Sequence, residues 1–180
     1  SSIFNLSHEC IELIPLETTD PERIAWIEDY AGRHLGKGTV RAKDTPAFIA
    51  NRLGIHGLQS AIALARELDL GVDEVDELTG VLIGRPKSAT FRTLDLVGVD
   101  VATAVAEHCH ASLVGDAERE IFAVPPVLRT LLERGALGEK AGGGFFRREQ
   151  GEILALDLAT LDYRPRRRLA SSAAEMARSE

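Results

Sequence analysis

Cysteine is scarce in this sequence of 180 residues, and the two that occur, Cys10 and Cys109, lie far apart. Neither shows the close cysteine and histidine spacing that is typical of a structural zinc site. His108 and His110 flank Cys109, but neighbouring residues of a helix point in different directions and cannot bind one metal ion. We therefore expect no metal site, and so few cysteines favour a reducing, cytoplasmic compartment.

Long apolar runs and an excess of positive charge are also lacking. No stretch approaches the roughly 20 apolar residues that cross a bilayer, and the amino end lacks a charged start followed by an apolar run. The 21 Lys and Arg are outnumbered by 28 Asp and Glu, which gives a formal net charge of −7. Because contacts to phosphates need a basic face, this balance argues against nucleic-acid binding. The arginine-rich run at 164–168 is the exception, and its surroundings predict a solvated tail or linker from Arg164 onward.

The sequence contains a series of helix start and stop signals. Asp20-Pro21 begins a predicted helix that Gly36 ends, and Asp44-Thr45-Pro46 begins a second that runs to Leu68. Apolar residues surround most of this second helix, which predicts burial on several sides. Further helices are expected after four signals, namely Asp73, Ser88, Asp100 behind a break at Gly98, and Pro125-Pro126. These patterns predict a helical bundle, so the expected fold class is mainly α.

Two segments have extended rather than helical character. Residues 39–43 alternate and include β-branched side chains, so they predict a short strand. Residues 152–157 are too few for a typical helix and follow Gly151, so they predict a strand or extended arm near the carboxyl end. Composition and periodicity alone therefore describe an acidic, soluble, mostly helical domain.

Particular stretches add a resemblance to a known family. Residues 36–53, with Gly36-Lys37-Gly38 and the run from Val40 to Leu53, resemble the start of the helical domain of 3-hydroxyacyl-CoA dehydrogenases. Residues 84–86, 90–100 and 137–146 match further stretches of that family in its order and at its spacing. The resemblance covers roughly residues 12–146. It implies the family's C-terminal helical bundle, of the type also found in 6-phosphogluconate dehydrogenase.

The resemblance also implies a division of the chain. Residues 1–17 correspond to a remnant of the NAD-binding domain, 18–146 to the helical substrate-binding and dimerisation domain, and 147–180 to an extended arm and linker. Residues 153–165 resemble the extension of long family members that continue into an enoyl-CoA hydratase-like region. The implied partners are an acyl-CoA substrate, a second copy of the chain and, in a long member, a fused hydratase region.

The implied activity is the oxidation of (S)-3-hydroxyacyl-CoA to 3-oxoacyl-CoA in fatty-acid β-oxidation, with NAD as cofactor. In this family a histidine takes the proton of the substrate hydroxyl, and a glutamate orients that histidine. Glu12 matches the glutamate, Asn51 matches an asparagine that donates to the C3 oxygen, and Ser1 matches a serine that binds the substrate oxygen. Without the resemblance, each residue has a second interpretation. Glu12 is then an exposed residue at the edge of a strand or helix, and Asn51 is a helix residue whose side chain bonds to its own backbone.

The amino end departs from the family. No histidine precedes Phe4-Asn5, where the family has one, and His8 stands four residues before Glu12, an arrangement the family does not use. The Ser1-Ser2-Ile3 stretch resembles a family segment that normally lies farther upstream, as expected either if the intervening residues are absent from this sequence or if the protein has diverged from the family. No Gly-x-Gly-x-x-Gly turn follows a strand, so NAD is expected to be bound by a domain that this sequence does not contain. These residues alone are expected to be inactive.

Two other functions stay open beside this one. The first is a non-catalytic helical dimerisation module that keeps the scaffold, and the second is a relative that acts on another hydroxy acid. The other histidines, namely His34, His56, His108 and His110, have no carboxylate at ligand spacing, and we interpret them as structural or solvent-facing. The apolar circumference of the 46–68 helix predicts a homodimer, since so apolar a surface needs a cover.

Overall fold

The computed structural model describes residues 10–169 of the chain, so the predicted site residues Ser1 and His8 lie outside the described residues. Its fold is mainly α, as predicted, with helices followed by a small sheet. Within residues 10–169, no helix is both long and apolar enough to cross a membrane.

The first part of the described chain is a strand–helix–strand unit. Strand β1 (Cys10–Leu13) pairs in parallel with β2 (Gly38–Arg41), and α1 (Pro21–Leu35) connects them. The side chain of Asp20 caps α1, and Gly36 ends the helix in the left-handed conformation, at φ 61°, that favours glycine. The predicted first helix and the strand near residue 39 are thus confirmed. The predicted domain boundary between residues 17 and 18 falls inside this unit.

Five helices follow and enclose the main hydrophobic core. They are α2 (Ala50–Glu67), α3 (Val72–Thr79), α4 (Phe91–Val97), α5 (Val99–Ser112) and α6 (Pro126–Glu133). Short 3₁₀ turns at Val81–Ile83, Arg119–Phe122 and Glu139–Ala141 connect or extend them. Ile55 and Ile62 of α2, Phe91 of α4 and Leu128 of α6 are among the buried core residues.

Helix α2 differs from its prediction in two respects. It begins at Ala50 rather than Pro46, because Ala47 and Phe48 have positive φ values of 62° and 51° and form a turn. It is also not buried on several sides in the single chain, since Leu53, Leu64 and Leu68 are 59%, 52% and 60% exposed. The apolar residues that do not face the core therefore form an exposed stripe.

The starts of α4 and α5 also differ in detail. The break at Gly98 is confirmed, but Ser88 does not cap α4, whose first N–H groups bond to the Asp76 carboxylate instead. Asp100 does not cap α5 either, because this helix begins at Val99 and Asp100 is its second residue. The cap predicted at Ser88 is wrong because a side chain distant in sequence provides the contact, and the one predicted at Asp100 is wrong because the helix begins earlier.

The predicted strand near residue 152 is confirmed as the middle strand of an antiparallel sheet. The sheet contains β3 (Phe146–Glu149), β4 (Glu152–Leu156) and β5 (Tyr163–Pro165). Buried Ala155 and Leu156 of β4 belong to the same core as the helices. The hydrophobic core therefore continues past residue 146, where the helical domain was expected to end.

The interpretation of residues from Arg164 onward as a solvated linker is wrong for Arg164, whose side chain is largely buried, whereas Arg166, Arg167 and Arg168 are exposed as predicted. The Arg164 guanidinium donates to both oxygens of Asp73, at 2.9 and 3.0 Å, and the Asp73 side chain is fully buried. The backbone N–H of Arg167 also donates to Asp73, and that of Leu169 donates to Glu77. These contacts attach the segment to α3.

Candidate active site

Glu12 connects the strand–helix–strand unit to the start of α2. Its carboxylate oxygens accept backbone hydrogen bonds from Ala50 at 2.6 Å and from Ile49 at 3.3 Å. The first N–H groups of a helix have no partner within the helix and carry partial positive charge, so a carboxylate there is stabilised. The compensating group that a half-buried Glu12 needs is therefore the start of α2.

Asn51 is the second residue of α2 and directly follows the Ala50 that Glu12 contacts. It lines a cleft of about 510 Å³ between α2 and α5. The other lining residues are mostly small or apolar, namely Ala47, Asp100, Val101, Ala104, Val105 and His108. The cleft thus places one amide side chain beside an apolar wall, which suits an acyl chain with a single polar group.

Asp100, which lines this cleft, forms an ion pair with Lys140. Lys140 donates to both carboxylate oxygens of Asp100, at 2.6 and 2.8 Å. The hydrogen bond from Lys140 lowers the pKa of Asp100, so that carboxylate is ionised at neutral pH. The two residues are 40 positions apart, and no sequence pattern predicted this contact.

A second cleft, of about 700 Å³, lies near the same end of α2. Its lining includes the cations Arg41, Lys43 and Arg52 and the apolar residues Phe48 and Phe122. The side chain of Arg52 pairs with Asp116. Hydrogen bonds from the backbone N–H of Glu118 and from Arg52 lower the pKa of Asp116.

The fold brings carboxylates that are distant in sequence close to two of the histidines. His56 Nε2 lies 3.2 Å from a carboxylate oxygen of Glu118, and His110 Nε2 lies 3.3 Å from one of Glu120. The segment from 116 to 122 folds back on α2 and α5 and brings these carboxylates close. Among the described residues, no three His, Cys, Asp or Glu side chains are grouped as a metal site.

The described residues do not fit a dinucleotide. In a dinucleotide-binding fold, a glycine-rich turn after a strand places the pyrophosphate on free N–H groups of a helix start. Here the helix after β1 begins with Asp20, whose carboxylate takes the N–H of Glu22, and with Pro21, which has no N–H. A negative charge and a missing donor stand where phosphate would bind.

Two residues that sequence reasoning did not select have strongly perturbed carboxyl groups. Burial raises the pKa of Asp76 and that of Asp95 to about 6, although backbone N–H groups contact both carboxylates. Asp95 accepts from Phe145 at 2.7 Å and from Phe146 at 2.8 Å. The sequence signal was the Asp within a short apolar helix, which needs a partner if it is buried.

Comparison with known proteins establishes the family. Residues 48–148 match the family model described as "3-hydroxyacyl-CoA dehydrogenase, C-terminal domain". The chain belongs to the 3-hydroxyacyl-CoA dehydrogenase family, and the matched part is its C-terminal domain.

Two curated relatives carry the name "Probable 3-hydroxyacyl-CoA dehydrogenase". The protein of Bacillus subtilis (strain 168) is 45% identical over 168 residues, which cover 93% of this chain and 21% of that protein. The protein of Deinococcus radiodurans is 38% identical over 142 residues, which cover 79% of this chain and 40% of that protein. The chain thus spans less than half the length of both relatives.

A solved structure has the same fold over most of the chain. The crystal structure of FadB2 from Mycobacterium tuberculosis matches with a TM-score of 0.66 and 30% sequence identity. The match covers 78% of this chain and 47% of that one. The helical fold is therefore that of solved proteins in the family.

Proposed function

We propose that this chain is the substrate-binding part of an NAD-dependent (S)-3-hydroxyacyl-CoA dehydrogenase of fatty-acid β-oxidation. The reaction converts a 3-hydroxyacyl-CoA to a 3-oxoacyl-CoA. Family membership and the names of the relatives support this activity. A relative in Rickettsia felis, 33% identical, is named as a trifunctional enzyme of a fatty acid oxidation complex, which supports the pathway.

The observation that carries the proposal is the contact between Glu12 and the start of α2. Glu12 accepts the N–H of Ala50, and Asn51 is the next residue, at the edge of the apolar cleft. Glu12 of β1 and Asn51 of α2, 39 positions apart in sequence, therefore both lie at the start of α2. A shared location is what a joint role on one substrate requires.

Each residue has a definite part in the proposed reaction. The amide of Asn51 donates to the C3 oxygen as that oxygen becomes a carbonyl, which stabilises its developing charge. A carboxylate has about four acceptor positions, and two described N–H groups use part of this capacity in Glu12. Glu12 therefore retains room to orient a histidine that takes the hydroxyl proton.

We propose that the histidine and NAD are supplied by residues other than 10–169. The described residues do not fit a dinucleotide, and their four histidines do not occupy the family's position. The strand–helix–strand unit, residues 10–41, supports this view, because parallel strands occur in larger sheets covered by helices. We propose that this unit belongs to the nucleotide-binding domain, with the helical domain beginning near residue 42.

The first test is an Asn51→Ala change in the complete enzyme, with acetoacetyl-CoA and NADH as substrates. Loss of a donor to an oxyanion costs about 10²-fold in turnover, so we expect a fall of one to two orders of magnitude. Ser112→Ala, at an exposed position of α5, is the control and should keep full turnover. Unchanged turnover in Asn51→Ala would remove Asn51 from the site.

A second test addresses the acyl cleft without depending on turnover. Ala104 is exposed and lines the cleft, so Ala104→Phe should fill it and weaken binding of acetoacetyl-CoA about tenfold. Ala111→Phe adds the same ring at another exposed position of α5 and should leave binding unchanged. Equal affinities of the two variants, measured by calorimetry, would contradict the assignment of this cleft.

We also propose that the chain forms a homodimer, that it works in the cytoplasm and that a hydratase-like region is fused to it. The exposed stripe of Leu53, Leu64 and Leu68 supports the dimer, because large apolar patches mark interaction sites. Sedimentation of the complete protein at micromolar concentration should give a dimer. A clean monomer would contradict this part of the proposal.

A further inference from the structure

A second concave surface is formed by two neighbouring clefts beside α4 and β3. The larger has a volume of about 480 Å³ and the smaller about 300 Å³, and both are lined by Lys87, Arg92 and Phe146. Cationic side chains dominate the lining, namely Lys87, Arg92, Arg147, Arg148, Arg166, Arg167 and Arg168. Neither cleft shares a lining residue with those around Asn51 and Arg52.

The charge of this surface is opposite to that of the chain. Seven cationic and four acidic side chains line the two clefts, which gives a formal charge of +3. The whole chain has a formal charge of −7. Like charges gathered on one surface repel each other, so such a cluster favours the binding of a counter-charge.

The acidic residues do not neutralise the cluster. Of the seven cations, Arg147 pairs with Glu149, and the other six form no ion pair with a carboxylate among residues 10–169. The carboxylates of Asp76 and Asp95 are directed at backbone N–H groups. Within the described part of the chain, these six cations therefore have no directly bonded carboxylate that would compete with an anionic ligand.

Buried contacts hold the arginine-rich run against this surface. Asp73, whose side chain is fully buried, binds the guanidinium of Arg164 and the backbone N–H of Arg167. The guanidinium of Arg166 lies 6.0 Å from the centre of the Phe146 ring, and that of Arg92 lies 5.4 Å from it. Stacking on one buried ring brings together cations from α4 and from the carboxyl end.

We propose that these two clefts bind a soluble anion that carries two or more phosphate groups. Six of the seven cations are arginines, whose planar guanidinium groups match phosphate oxygens in pairs. Two neighbouring clefts that share Lys87 and Arg92 suit two linked phosphate groups better than one. The ligand class is a diphosphate or a phosphorylated nucleotide, either free or as part of a coenzyme.

A duplex nucleic acid fits this surface less well. Duplex binding needs a long basic face, whereas here the basic residues line two clefts on an acidic molecule. A small polyphosphate can enter a concave site without approaching the rest of the acidic surface. The inference does not depend on the proposed dehydrogenase activity, because the two sites share no residue.

The test is calorimetric titration of the full chain at about 0.15 M salt, where screening weakens non-specific attraction. The probes are inorganic phosphate, inorganic pyrophosphate, ADP, coenzyme A and a short DNA duplex. We expect pyrophosphate to bind at least tenfold more tightly than phosphate. If ADP and coenzyme A bind no more tightly than pyrophosphate, the diphosphate is the group that the clefts recognise. If they bind more tightly, the clefts also contact the nucleoside.

The location is tested with two matched triple variants. Arg148→Gln, Arg166→Gln and Arg168→Gln together remove three exposed cations of the clefts, and pyrophosphate affinity should fall tenfold or more. The control replaces three exposed arginines elsewhere by glutamine, namely Arg23, Arg66 and Arg129, and should change affinity less than twofold. Both variants lose the same net charge, so a difference between their pyrophosphate affinities shows that the position of the arginines matters.

Several results would overturn the proposal. These are equal effects of the two triple variants, no pyrophosphate binding at millimolar concentration, or tighter binding of the duplex than of pyrophosphate. Should the first triple variant not fold, the single change Lys87→Gln, on an exposed turn, is used instead and should weaken binding measurably. Amide NMR shifts at Ser88 and Gly143 on pyrophosphate addition should confirm the position, and shifts confined to other residues would contradict it.

Discussion

Carboxylates bind backbone N–H groups in two regions of this molecule, with different consequences. At the start of α2, Glu12 is half-buried and accepts from Ile49 and Ala50. In the helical core, Asp76 accepts from three successive N–H groups at the start of α4, and Asp95 accepts from two in the segment that enters β3. The core carboxylates have pKa values raised to about 6, mainly because burial disfavours their charged form.

The same kind of contact, from a carboxylate to backbone N–H groups, has a structural role at Asp95 and a second role, at a cleft, for Glu12. The backbone fits tightly around Asp95, since a Cβ at Gly138, where φ is +104°, or at Gly144 would collide with it. Both oxygens of Asp95 are directed at the backbone N–H groups of Phe145 and Phe146, so its role is structural. Glu12 instead joins two parts of the chain at the edge of a cleft, so it can position α2 and act on a substrate group.

The largest expected effect is the loss of stability when the buried carboxylate of Asp95 is removed. Asp95→Ala leaves the N–H groups of Phe145 and Phe146 buried without acceptors, and each costs about 1–3 kcal/mol. We expect the free energy of unfolding, measured in urea, to fall by about 4 kcal/mol. Asp29→Ala on exposed α1 removes a carboxylate of a surface ion pair and should cost less than about 0.5 kcal/mol. Similar losses of unfolding free energy in the two variants would show that burial does not determine how much a carboxylate contact stabilises the fold.

The second effect is a dependence of stability on pH. A raised pKa means that the folded state binds protons more tightly than the unfolded state, so stability falls as pH rises from about 4 to about 6. The lowered pKa values of Asp73 and Asp157 act oppositely, and their contribution is lost only as pH falls below about 4.

Urea unfolding of the chain across this pH range checks the sign. Asp76→Asn removes one of the two titrating groups, so its stability should fall less steeply between pH about 4 and about 6. The same slope in the variant and the original chain would show that Asp76 does not titrate there. Ser112→Ala, at the exposed end of α5, removes no titrating group and should leave the slope unchanged.

The smallest effect on stability is expected at Glu12. Glu12→Gln keeps one acceptor oxygen for the start of α2, so the free energy of unfolding should fall by only about 1 kcal/mol. In the complete enzyme, turnover should fall much more than this loss of stability explains, because an amide orients a histidine less well than a carboxylate. Turnover near the original value would show that Glu12 is purely structural, and that its role does not differ from that of Asp95.

Local signals predicted much of the fold correctly. The Asp20-Pro21 start, the Gly98 break and the strand after Gly151 depend on the conformational limits of a few adjacent residues, which a sequence shows directly. The predictions failed where a distant residue provided the partner. Ser88 is a plausible cap on its own, but the carboxylate of Asp76 reaches the start of α4 from another helix.

The sequence by itself determined the mainly helical class, the family and the candidate residues Glu12 and Asn51, because these are expressed in local order and spacing. Only the tertiary structure decided that Glu12 binds the start of α2, and that Asp73 draws Arg164, 91 positions away, into the core. It also turned a predicted solvated tail into one wall of a basic cleft. Contacts between residues so far apart leave no periodic pattern, because they form only when packing of the apolar core brings their elements together.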